Sequence, residues 1–214
     1  MLPAYLDSTN LQAACSQKDI EHLCEEAKKY GMAAVCIHPC RLPQARDLLA
    51  NSGVKLCTVI GFPLGADRTE TKVNAARMAL EDGAQELDLV MNIGRFKDRE
   101  YINAAQEIAA LLHLKNEYRF ILKVIVESAL LSPQELVRAT QMVGDSGADF
   151  IKTSTGFSTR GVSLEDIEII KANKPDNLKI KASGGIKELD APAGFDFKPD
   201  NLKIKASGGI KFLD

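Results

Sequence analysis

The segment FILKVIVESALLSPQELVRATQMVGDSGADFIKTST (120–155) contains a strand, a helix and a second strand in sequence. Its two ends, 120–127 and 149–155, are short apolar runs rich in β-branched residues, which is typical of strands that are buried on both faces. Between them, SPQE (132–135) is a capping-box pattern with proline at the first helical position. Two strands joined by a crossover helix indicate neighbouring parallel strands of one sheet.

The same alternation of strand-like and helix-like segments extends along the rest of the chain. It predicts a parallel α/β fold, as a (β/α)8 TIM barrel or as a doubly wound open sheet. The barrel is favoured because no G-x-G-x-x-G follows the first strand, and because polar residues recur at the C-terminal ends of different strands. The other strand-like runs are 4–7, 33–38, 55–62, 86–92 and 178–183, and the polar residues are Asp7, Asp88, Lys123, Glu127, Lys152 and Lys181.

The overall composition is typical of globular proteins and excludes several classes of partner. Of 214 residues, 45% are hydrophobic. The chain has 27 Lys and Arg and 29 Asp and Glu, so the basic surface that nucleic-acid binding requires is not expected. No basic segment precedes an apolar run at the N-terminus, and no apolar stretch is long enough to cross a membrane. We therefore expect a cytoplasmic protein that contacts neither nucleic acid nor membrane.

The cysteines are predicted to be free thiols. They are odd in number and lack the paired C-x-x-C spacing of zinc sites, and no His, Cys and carboxylate residues show convincing metal-ligand spacing. Cys36, at the end of the second strand, is expected to lie in the interior or at the rim of the barrel. No metal is predicted. The five cysteines are Cys15, Cys24, Cys36, Cys40 and Cys57.

Lys152, in ADFIKTSTG (148–156), is the strongest candidate for a catalytic residue. It follows two apolar residues in a strand that is expected to be buried on both faces, and burying an ammonium group is costly unless it is paired or neutral. A neutral amine at this position would attack a carbonyl and form a Schiff base. The alternative is a structural lysine in an ion pair with Asp88 or Glu127, and the pattern alone leaves both interpretations open.

Lys181, in KIKASGGI (179–186), is a second lysine of this kind on the next strand. If Lys152 and Lys181 both face the barrel mouth, each ammonium disfavours the other, and one amine loses its proton near neutral pH. Lys179 has the same facing, but its place near the start of the strand predicts a side chain that reaches water.

Asp88 lies in the middle of its strand and is predicted to be buried with polar partners. In its protonated form it would act as general acid and base on a carbinolamine, whereas in its ionised form it would neutralise a lysine. The neighbouring Glu86 is predicted to be solvated at the start of the strand.

Glycines follow the two lysine-bearing strands and indicate an anion site. Gly156 comes after Lys152, and Gly184 and Gly185 come after Lys181. Loops of this kind can direct several backbone N–H groups toward one anion, and barrel enzymes often hold a substrate phosphate with the loops after strands seven and eight. The alternative is that these glycines serve only tight turns.

Five segments together resemble deoxyribose-phosphate aldolases in order and spacing. The resemblance extends from residue 5 to about residue 187 and implies a (β/α)8 barrel. It also implies a class I aldolase that reversibly cleaves 2-deoxy-D-ribose 5-phosphate to D-glyceraldehyde 3-phosphate and acetaldehyde, without a cofactor and as a homo-oligomer (dimer or tetramer). The segments are CTVIGFPLGA (57–66), ELDLVMNIG (86–94), LKVIVE (122–127), ADFIKTSTGF (148–157) and KASGGIK (181–187).

The resemblance implies a role for each candidate site residue. Lys152 would be the Schiff-base lysine, Lys181 the neighbour that lowers its pKa, and Asp88 the partner in proton transfer. Asp7 and Thr9 match the family's first-strand D-H-T pattern and would assist the proton relay, although serine replaces the histidine here. The other candidate substrate-binding residues are Cys36, Lys123, Thr155, Gly156, Gly184 and Gly185, the glycines through backbone contacts with the phosphate.

Two other functions are compatible with the sequence. One is a Schiff-base aldolase that acts on a different phosphorylated sugar, which product analysis would distinguish. The other is an inactive or truncated barrel that only binds sugar phosphate, or that serves as a subunit of an assembly.

The C-terminal region contains a perfect repeat, because KPDNLKIKASGGIK occurs at 174–187 and again at 198–211. The family's eighth βα unit is not recognisable after residue 187, so we predict an aldolase domain over 1–187 and an atypical segment over 188–214. The second copy would close the barrel as a surrogate eighth strand, or lie outside an incomplete barrel, or result from gene assembly, and the last interpretation is favoured. The two copies are not expected to do the same job, and Lys181 is preferred over Lys205 as the functional lysine.

Overall fold

The computed structural model describes residues 2–186 and the backbone of residues 202–207. Strands alternate with helices along the chain, as the sequence predicts for a parallel α/β fold. The strands are β1 Leu6–Asn10, β2 Ala34–Ile37, β3 Lys55–Ile60, β4 Glu86–Val90, β5 Ile121–Ile125, β6 Phe150–Lys152, β7 Lys179–Ser183 and β8 Leu202–Ser207. The helices are α1 Gln17–Tyr30, α2 Leu42–Leu48, α3 Thr69–Glu81, α4 Ile93–Lys97, α5 Tyr101–Leu112, α6 Pro133–Ser146 and α7 Leu164–Asn173.

The strands β1 to β7 pair in parallel, each with the next, and form one curled sheet. β8 consists of residues from the second repeat copy and pairs in parallel with β7 and with β1. Residues 187–201 and 208–214 lie outside the described residues. Most of the predicted segment 188–214 falls there.

The two faces of the strands differ because successive side chains of a strand point to opposite sides. One face packs against the helices in the main apolar core, with Leu87, Val124 and Ile151 among its members. The opposite face carries the charged residues of β4 to β7 and a small apolar cluster on the side of β2 and β3. The barrel interior is therefore charged on one side and apolar on the other, and the small cluster comprises Leu11, Ala34, Cys36, Cys57 and Val59.

The helix boundaries follow from capping signals in the sequence. The predicted capping box at Ser132 is formed, and Ser16 and Ser163 form two more, with an acidic residue three positions later completing each box. Gly31 adopts the left-handed conformation at the end of α1, where glycine is favoured. None of the helices in the described ranges combines the length and apolar composition that crossing a bilayer requires.

Six of the seven predicted strands are shorter than their apolar runs, and two strands differ clearly from prediction. The first predicted strand, 4–7, begins only at Leu6, because residues 2–5 form a 3-10 helix, and it continues to Asn10. The sixth, predicted over 149–155, ends at Lys152. Thr153 then accepts a hydrogen bond from the Ser183 N–H at its side-chain oxygen, so side-chain contacts replace the strand ladder there.

A buried ion pair lies below the loops that follow β3 and β4. Lys72 Nζ lies 2.8 Å from Glu107 Oε1 and also donates to the carbonyl oxygens of Gly65 and Val90. The same Glu107 oxygen accepts the Asn92 N–H at 3.1 Å. Because a buried ion pair is favourable only when its remaining hydrogen-bonding groups are satisfied, this arrangement fixes both loops at the C-terminal end of the barrel.

Candidate active site

Six charged side chains meet in the barrel interior, each at most 2% exposed. Three are cations and three are anions, so among the described residues this interior charge cluster is electrically balanced. Balance of this kind is what permits ionised groups to stay buried, since an unpaired charge would lose its hydration without compensation. The interior charge cluster consists of Asp7, Glu86, Asp88, Lys123, Lys152 and Lys181.

Lys152, on β6, donates directly to the carboxylate of Asp88, on β4. Burial opposes the charge on Lys152, but the Asp88 carboxylate and, to a smaller extent, Cys36 and Cys57 together outweigh this cost and raise the pKa of Lys152 above its ordinary 10.5. Of the two interpretations that the sequence left open, the ion pair with Asp88 is therefore present, because Asp88 stabilises the ammonium, and a neutral amine during the reaction stays a prediction. The contact also places Asp88 where it can accept the proton that Lys152 must lose before it attacks a carbonyl.

Lys181 lies opposite Lys152 in the register between β6 and β7. Its Nζ is 2.6 Å from Asp7 Oδ1. Burial lowers the pKa of Lys181, the Asp7 carboxylate offsets this only in part, and the ammonium groups of Lys123 and Lys152 lower it further. The predicted repulsion between lysines is present, but the amine whose pKa falls is Lys181 rather than Lys152.

Lys123 is the central cation of the interior charge cluster. Its Nζ lies 2.5 Å from Glu86 Oε2 and 2.9 Å from Asp88 Oδ1. Burial opposes its charge, but the surrounding carboxylates, Asp88 foremost, hold the pKa of Lys123 well above its usual value. The prediction that Glu86 is solvated is wrong, because its side chain is 3% exposed and lies between Lys123 and Lys55. Lys123 thus binds carboxylates of the cluster, and a direct substrate contact remains a prediction.

Two thiols border Asp88 on the apolar side of the barrel interior. Cys36 Sγ is 3.8 Å from Asp88 Oδ2, and Cys57 Sγ is 3.4 Å from Asp88 Oδ1. Burial raises the pKa of Cys57 well above its ordinary 9.0, and its contact with Cys36 adds to the shift. The interior position predicted for Cys36 is confirmed. The proximity of Cys36 and Cys57 could not be predicted from their spacing in the sequence, because only the register of β2 and β3 brings the two thiols together.

The first strand supplies the two residues predicted from the D-H-T pattern. Asp7 is buried beside Lys181, and burial, which opposes its charge, is outweighed by Lys181 and Lys123, so that the pKa of Asp7 is lowered. The Thr9 side chain is 6% exposed and donates to the Asp7 carbonyl at 3.3 Å. Asp7 therefore joins the interior charge cluster, whereas Thr9 lies two residues further along β1, on the same face and closer to the barrel mouth.

Thr155 is held by Glu127, a partner that the sequence patterns did not indicate. The Thr155 N–H lies 3.1 Å from Glu127 Oε2, and the Thr155 hydroxyl donates to the same oxygen. Glu127 has a φ of 50°, which is unusual for a residue other than glycine, and its Oε1 has no hydrogen-bond partner among the described residues. The suggested ion pair of Glu127 with Lys152 does not form. Glu127 instead anchors the loop after β6.

The loops after β6 and β7 are joined at the barrel mouth. Ser183 Oγ donates to the Ser154 carbonyl and accepts the Ser154 N–H, and the Val162 N–H reaches the Ser183 carbonyl at 3.2 Å. A Cβ on Gly161 would lie 2.1 Å from the Gly184 carbonyl oxygen, so only glycine permits this approach. Neither Ser183 nor Gly161 was singled out from the sequence. The predicted phosphate-binding residues Gly156, Gly184 and Gly185 all lie in these joined loops, each with a positive φ.

Asp166 fixes the other end of the loop after β6. Its carboxylate accepts hydrogen bonds from the Arg160 guanidinium at 2.5 and 3.0 Å, from the Ser128 hydroxyl at 2.9 Å and from the Ser163 N–H at 3.0 Å. Burial opposes the charge, but these hydrogen bonds outweigh it and lower the pKa of Asp166. The loop is therefore tied to the N-terminus of α7.

Replacing Asp166 with asparagine is expected to reduce the free energy of unfolding at pH 7 by about 1–2 kcal/mol, because hydrogen bonds to a charged group are lost. The Arg160 side chain is 44% exposed, so solvent screening limits the effect. Since the folded-state pKa is lowered, the stabilisation is complete above the ordinary value of 3.8 and is lost as the pH falls through the folded-state pKa. Urea unfolding of wild type and variant at neutral and acid pH measures this difference.

The exposed Asp145 provides the control for this series, because its replacement with asparagine removes a carboxylate from the surface of α6. That variant is expected to match wild type at pH 7. A stability difference between wild type and Asp166→Asn that stays constant down to acid pH would contradict the assigned role of the charge.

Comparison with known proteins identifies relatives over most of the chain. A family model described as DeoC/LacD family aldolase matches residues 4–196. A deoxyribose-phosphate aldolase of Metamycoplasma hominis is 52% identical over 188 residues, which cover 88% of this chain and 86% of the relative. A deoxyribose-phosphate aldolase of Thermococcus kodakarensis is 45% identical over 185 residues, covering 86% of this chain and 83% of the relative.

Solved structures give the same result. An aldolase designated QR15 superposes with a TM-score of 0.82 at 40% identity, covering 87% of this chain and 82% of that structure. The deoxyribose phosphate aldolase of Aeropyrum pernix, described as a unique tetrameric structure, superposes with a TM-score of 0.81 at 33% identity, covering 87% and 79%. The resemblance drawn from the five sequence segments is thereby confirmed, and the chain belongs to the DeoC/LacD family of aldolases.

Proposed function

We propose that this chain is a class I aldolase that reversibly cleaves 2-deoxy-D-ribose 5-phosphate to D-glyceraldehyde 3-phosphate and acetaldehyde. The names of the relatives support this substrate. The observation that carries the proposal is the direct contact of Lys152 with Asp88, both of them fully buried, with Lys152 at the C-terminal end of β6, the end of the barrel where such enzymes keep their sites. This contact pairs a nucleophile with a group that can move its proton.

The cleavage starts with transfer of a proton from Lys152 to Asp88. The neutral Nζ attacks C1 of the open-chain sugar, and loss of water from the carbinolamine gives an iminium ion. The iminium accepts the electron pair of the C2–C3 bond as that bond breaks, while a proton leaves the C3 hydroxyl and glyceraldehyde 3-phosphate departs. Protonation of the enamine and hydrolysis then release acetaldehyde and restore the amine.

Asp88 is proposed as the proton carrier in these steps because it contacts the reacting amine directly. Lys181, whose pKa is lowered, adds positive charge beside Lys152 when protonated and so favours release of the Lys152 proton once Asp88 is engaged elsewhere. Asp7 and Thr9 are proposed to support the relay through Lys181 and through the hydrogen bond of Thr9 to the Asp7 backbone.

The phosphate is proposed to bind to the joined loops after β6 and β7. Gly156, Gly184 and Gly185 have φ values of 87°, 79° and 72°. Loops that contain such left-handed residues can turn their backbone N–H groups toward one anion. Thr155 lies in the same loop, held by Glu127. Cys36 and Lys123 border the position of the reacting carbons through their contacts with Asp88.

The second copy of the repeat is proposed to take the place of the family's eighth βα unit. The pairing of β8 with both β7 and β1 supports this interpretation over an extension outside the barrel. Closing the barrel protects the edges of β1 and β7, which would otherwise be free to pair with other chains. On this basis residues 1–187 form the aldolase domain, and 188–214 form the atypical segment that completes it.

A homo-oligomer in the cytoplasm is also proposed. The tetrameric description of the Aeropyrum pernix relative supports an oligomer. All five cysteines are free thiols, as predicted, which fits a reducing compartment.

Trapping of the Schiff base tests the proposed function. The 214-residue chain is incubated with acetaldehyde, reduced with borohydride and mapped by peptide mass. The expected result of trapping is one adduct, on Lys152. In a separate incubation with 2-deoxy-D-ribose 5-phosphate, the expected products are acetaldehyde and glyceraldehyde 3-phosphate. A folded chain that forms no adduct, or that cleaves only another sugar phosphate, would overturn the proposal.

Replacing Gly185 with alanine is expected to raise KM for 2-deoxy-D-ribose 5-phosphate about tenfold, since a hydrogen bond to a charged group contributes about 1.5–3 kcal/mol. A Cβ there has no neighbour closer than 3.8 Å, so the added methyl group causes no clash, but the φ of 72° becomes strained and the N–H groups shift. Steady-state kinetics with phosphorylated and unphosphorylated deoxyribose measure the effect, which should be confined to the phosphorylated sugar.

Gly147 supplies the matched control, because it has a φ of 85°, no neighbour within 4 Å of an added Cβ and a position at the end of α6. Its replacement with alanine introduces similar strain and should leave both KM values unchanged. An equal rise in KM for both sugars in the Gly185 variant would argue against phosphate binding at this loop.

A further inference from the structure

The thiols of Cys36 and Cys57 and the carboxylate of Asp88 form a cluster of three metal-ligating groups, here called the thiol-carboxylate cluster. Its residues come from three successive strands and are fully buried. The two thiols lie opposite one another in the register between β2 and β3, and their ligand atoms and a carboxylate oxygen of Asp88 all lie within 4.8 Å of one another. The catalytic proposal does not use the pairing of these two thiols.

The separations in this cluster are close to those of a tetrahedral metal site. With metal–sulfur bonds of about 2.3 Å and metal–oxygen bonds of about 2.0 Å, a sulfur and an oxygen ligand lie about 3.5 Å apart. The observed distances are 3.4 Å from Cys57 Sγ to Asp88 Oδ1 and 3.8 Å from Cys36 Sγ to Asp88 Oδ2, so each thiol lies beside a different carboxylate oxygen. Because both sulfurs and one carboxylate oxygen lie within 4.8 Å of one another, a cation would draw the three ligands together by about an ångström or less.

We propose that the thiol-carboxylate cluster binds one thiophilic divalent cation of the zinc class, and that the bound cation inhibits the aldolase. Two thiolate ligands select soft metals, whereas calcium and magnesium prefer oxygen ligands. The binding step is balanced: each thiol releases one proton as its sulfur forms a bond to the cation, so M²⁺ enters and two protons leave. No oxidant or reductant takes part.

The charge balance of the interior permits this exchange. A dication replaces two protons, so the net charge of the thiol-carboxylate cluster is the same before and after binding. Lys123 Nζ lies 3.4 Å from Cys57 Sγ and 2.9 Å from Asp88 Oδ1, and it remains beside a group of unchanged net charge. The usual objection to a dication next to ammonium groups therefore does not apply to this site.

Inhibition is the part of this inference that rests on the proposed function. Asp88 contacts Lys152 directly and is the group proposed to take its proton. A cation bonded to Asp88 occupies the electron pairs with which this group takes up and returns protons, so that cleavage of the sugar phosphate fails. Because a substrate carbonyl must reach Lys152 through the barrel mouth, a small cation has the same path to the cluster.

The other thiols of the chain provide the controls. Cys40 is exposed and Cys15 is partly exposed, and both are removed by replacement with serine so that they do not bind metal at the surface. Cys24 lies on the buried face of α1 and serves as the matched thiol, since its replacement with alanine removes a buried sulfur elsewhere. All further variants are made in the chain that lacks Cys15 and Cys40.

The test uses Co²⁺ and Cd²⁺ as probes on the full chain. We expect Co²⁺ to produce a sulfur-to-cobalt charge-transfer band, and Cd²⁺ to give one bound metal per chain in native mass spectrometry, with a mass gain of one cadmium less two hydrogens. Both signals should disappear in Cys36→Ala and in Cys57→Ala and persist in Cys24→Ala. Absence of the band, its persistence in Cys57→Ala or a mass gain without loss of two hydrogens would overturn the site.

The mass measurement decides the question alone if the alanine variants fail to fold, since it needs only the chain with both sulfurs. The inhibitory part is tested separately, by turnover of 2-deoxy-D-ribose 5-phosphate before and after Zn²⁺ and again after chelation. We expect turnover to fall at least tenfold with Zn²⁺ and to return with chelator. A metal-loaded chain that keeps its turnover overturns the inhibition, whereas a metal-free chain that forms no Lys152 adduct with acetaldehyde and borohydride overturns the proposed function and leaves the cobalt result standing.

Discussion

Replacing Lys152 with methionine is expected to lower turnover of 2-deoxy-D-ribose 5-phosphate by about 10⁴-fold or more, because loss of the covalent nucleophile removes the whole reaction path. Methionine has nearly the same length and leaves no polar group in the buried site. Asp88 keeps Lys123 as a partner at 2.9 Å, so the carboxylate is not left alone in the interior. Turnover and borohydride trapping with acetaldehyde are both measured, and both should be lost together.

Lys181 is the rival nucleophile that this experiment must exclude. Its pKa is lowered, it is fully buried, and it lies opposite Lys152 in the sheet register. If the reacting amine were simply the one with the lower pKa, the methionine variant of Lys152 would retain an adduct on Lys181. Detection of that adduct with measurable cleavage would transfer the role of nucleophile to Lys181.

Lys179 provides the control for the loss of a lysine. It lies two residues before Lys181 on β7, but its side chain is exposed and stacks over the Phe150 ring at 5.7 Å. Its replacement with methionine should leave turnover and trapping unchanged. The prediction that Lys179 reaches water while sharing the facing of Lys181 is thus confirmed, and it makes this variant informative.

The fold was largely predictable because its signals are local. The capping boxes at Ser16, Ser132 and Ser163 mark the starts of α1, α6 and α7, and short apolar runs mark the strands, each from a few neighbouring residues. The ends of the strands were less predictable. Whether Thr153 continues a strand depends on the Ser183 N–H, which lies 30 residues away and has no local signature.

The site was predictable in its membership but not in its protonation. A lysine and an aspartate within buried strands are conspicuous in the sequence, so Lys152, Lys181 and Asp88 could be named. Which of the two lysines carries the lowered pKa depends on where each carboxylate lies. Asp88 contacts Lys152 and Asp7 contacts Lys181, and only the sheet register and side-chain directions determine these pairs.

The burial of Glu86 could not be predicted from its local sequence either. Its position at the start of a strand suggested a solvated side chain, yet it lies 2.5 Å from Lys123 and is buried. The interior requires a third anion to balance three lysines, and that requirement becomes visible only when residues of five strands are considered together.

Replacing Asp88 with asparagine is expected to lower turnover by about 10²–10⁴-fold, the usual contribution of a positioned acid–base group. The amide keeps the shape of the side chain but neither accepts the Lys152 proton nor returns it during the later steps. Turnover is measured together with the rate of borohydride trapping, because the two respond differently. Trapping with acetaldehyde needs only a neutral amine and should persist while cleavage of the sugar phosphate fails.

The pH dependence gives this prediction its direction. In wild type the Asp88 carboxylate raises the pKa of Lys152 against the cost of burial. Without that charge, burial and the nearby ammonium of Lys123 act unopposed, so the pKa of Lys152 falls and the amine is neutral at lower pH. The trapping rate of the asparagine variant should therefore reach its plateau at a lower pH than that of wild type.

Glu86 supplies the control for loss of a buried carboxylate from the interior charge cluster. Replacing Glu86 with glutamine also removes a negative charge from Lys123, but it leaves the contact between Asp88 and Lys152 in place. Turnover should then fall by less than about tenfold, since the acid–base group is retained. Equal losses in the two variants would mean that Asp88 acts through the charge balance of the interior. A much larger loss of turnover in the Asp88 variant, with a trapping rate that reaches its plateau at lower pH, would identify direct proton transfer between Asp88 and Lys152. A change in charge balance alone would alter trapping and turnover together.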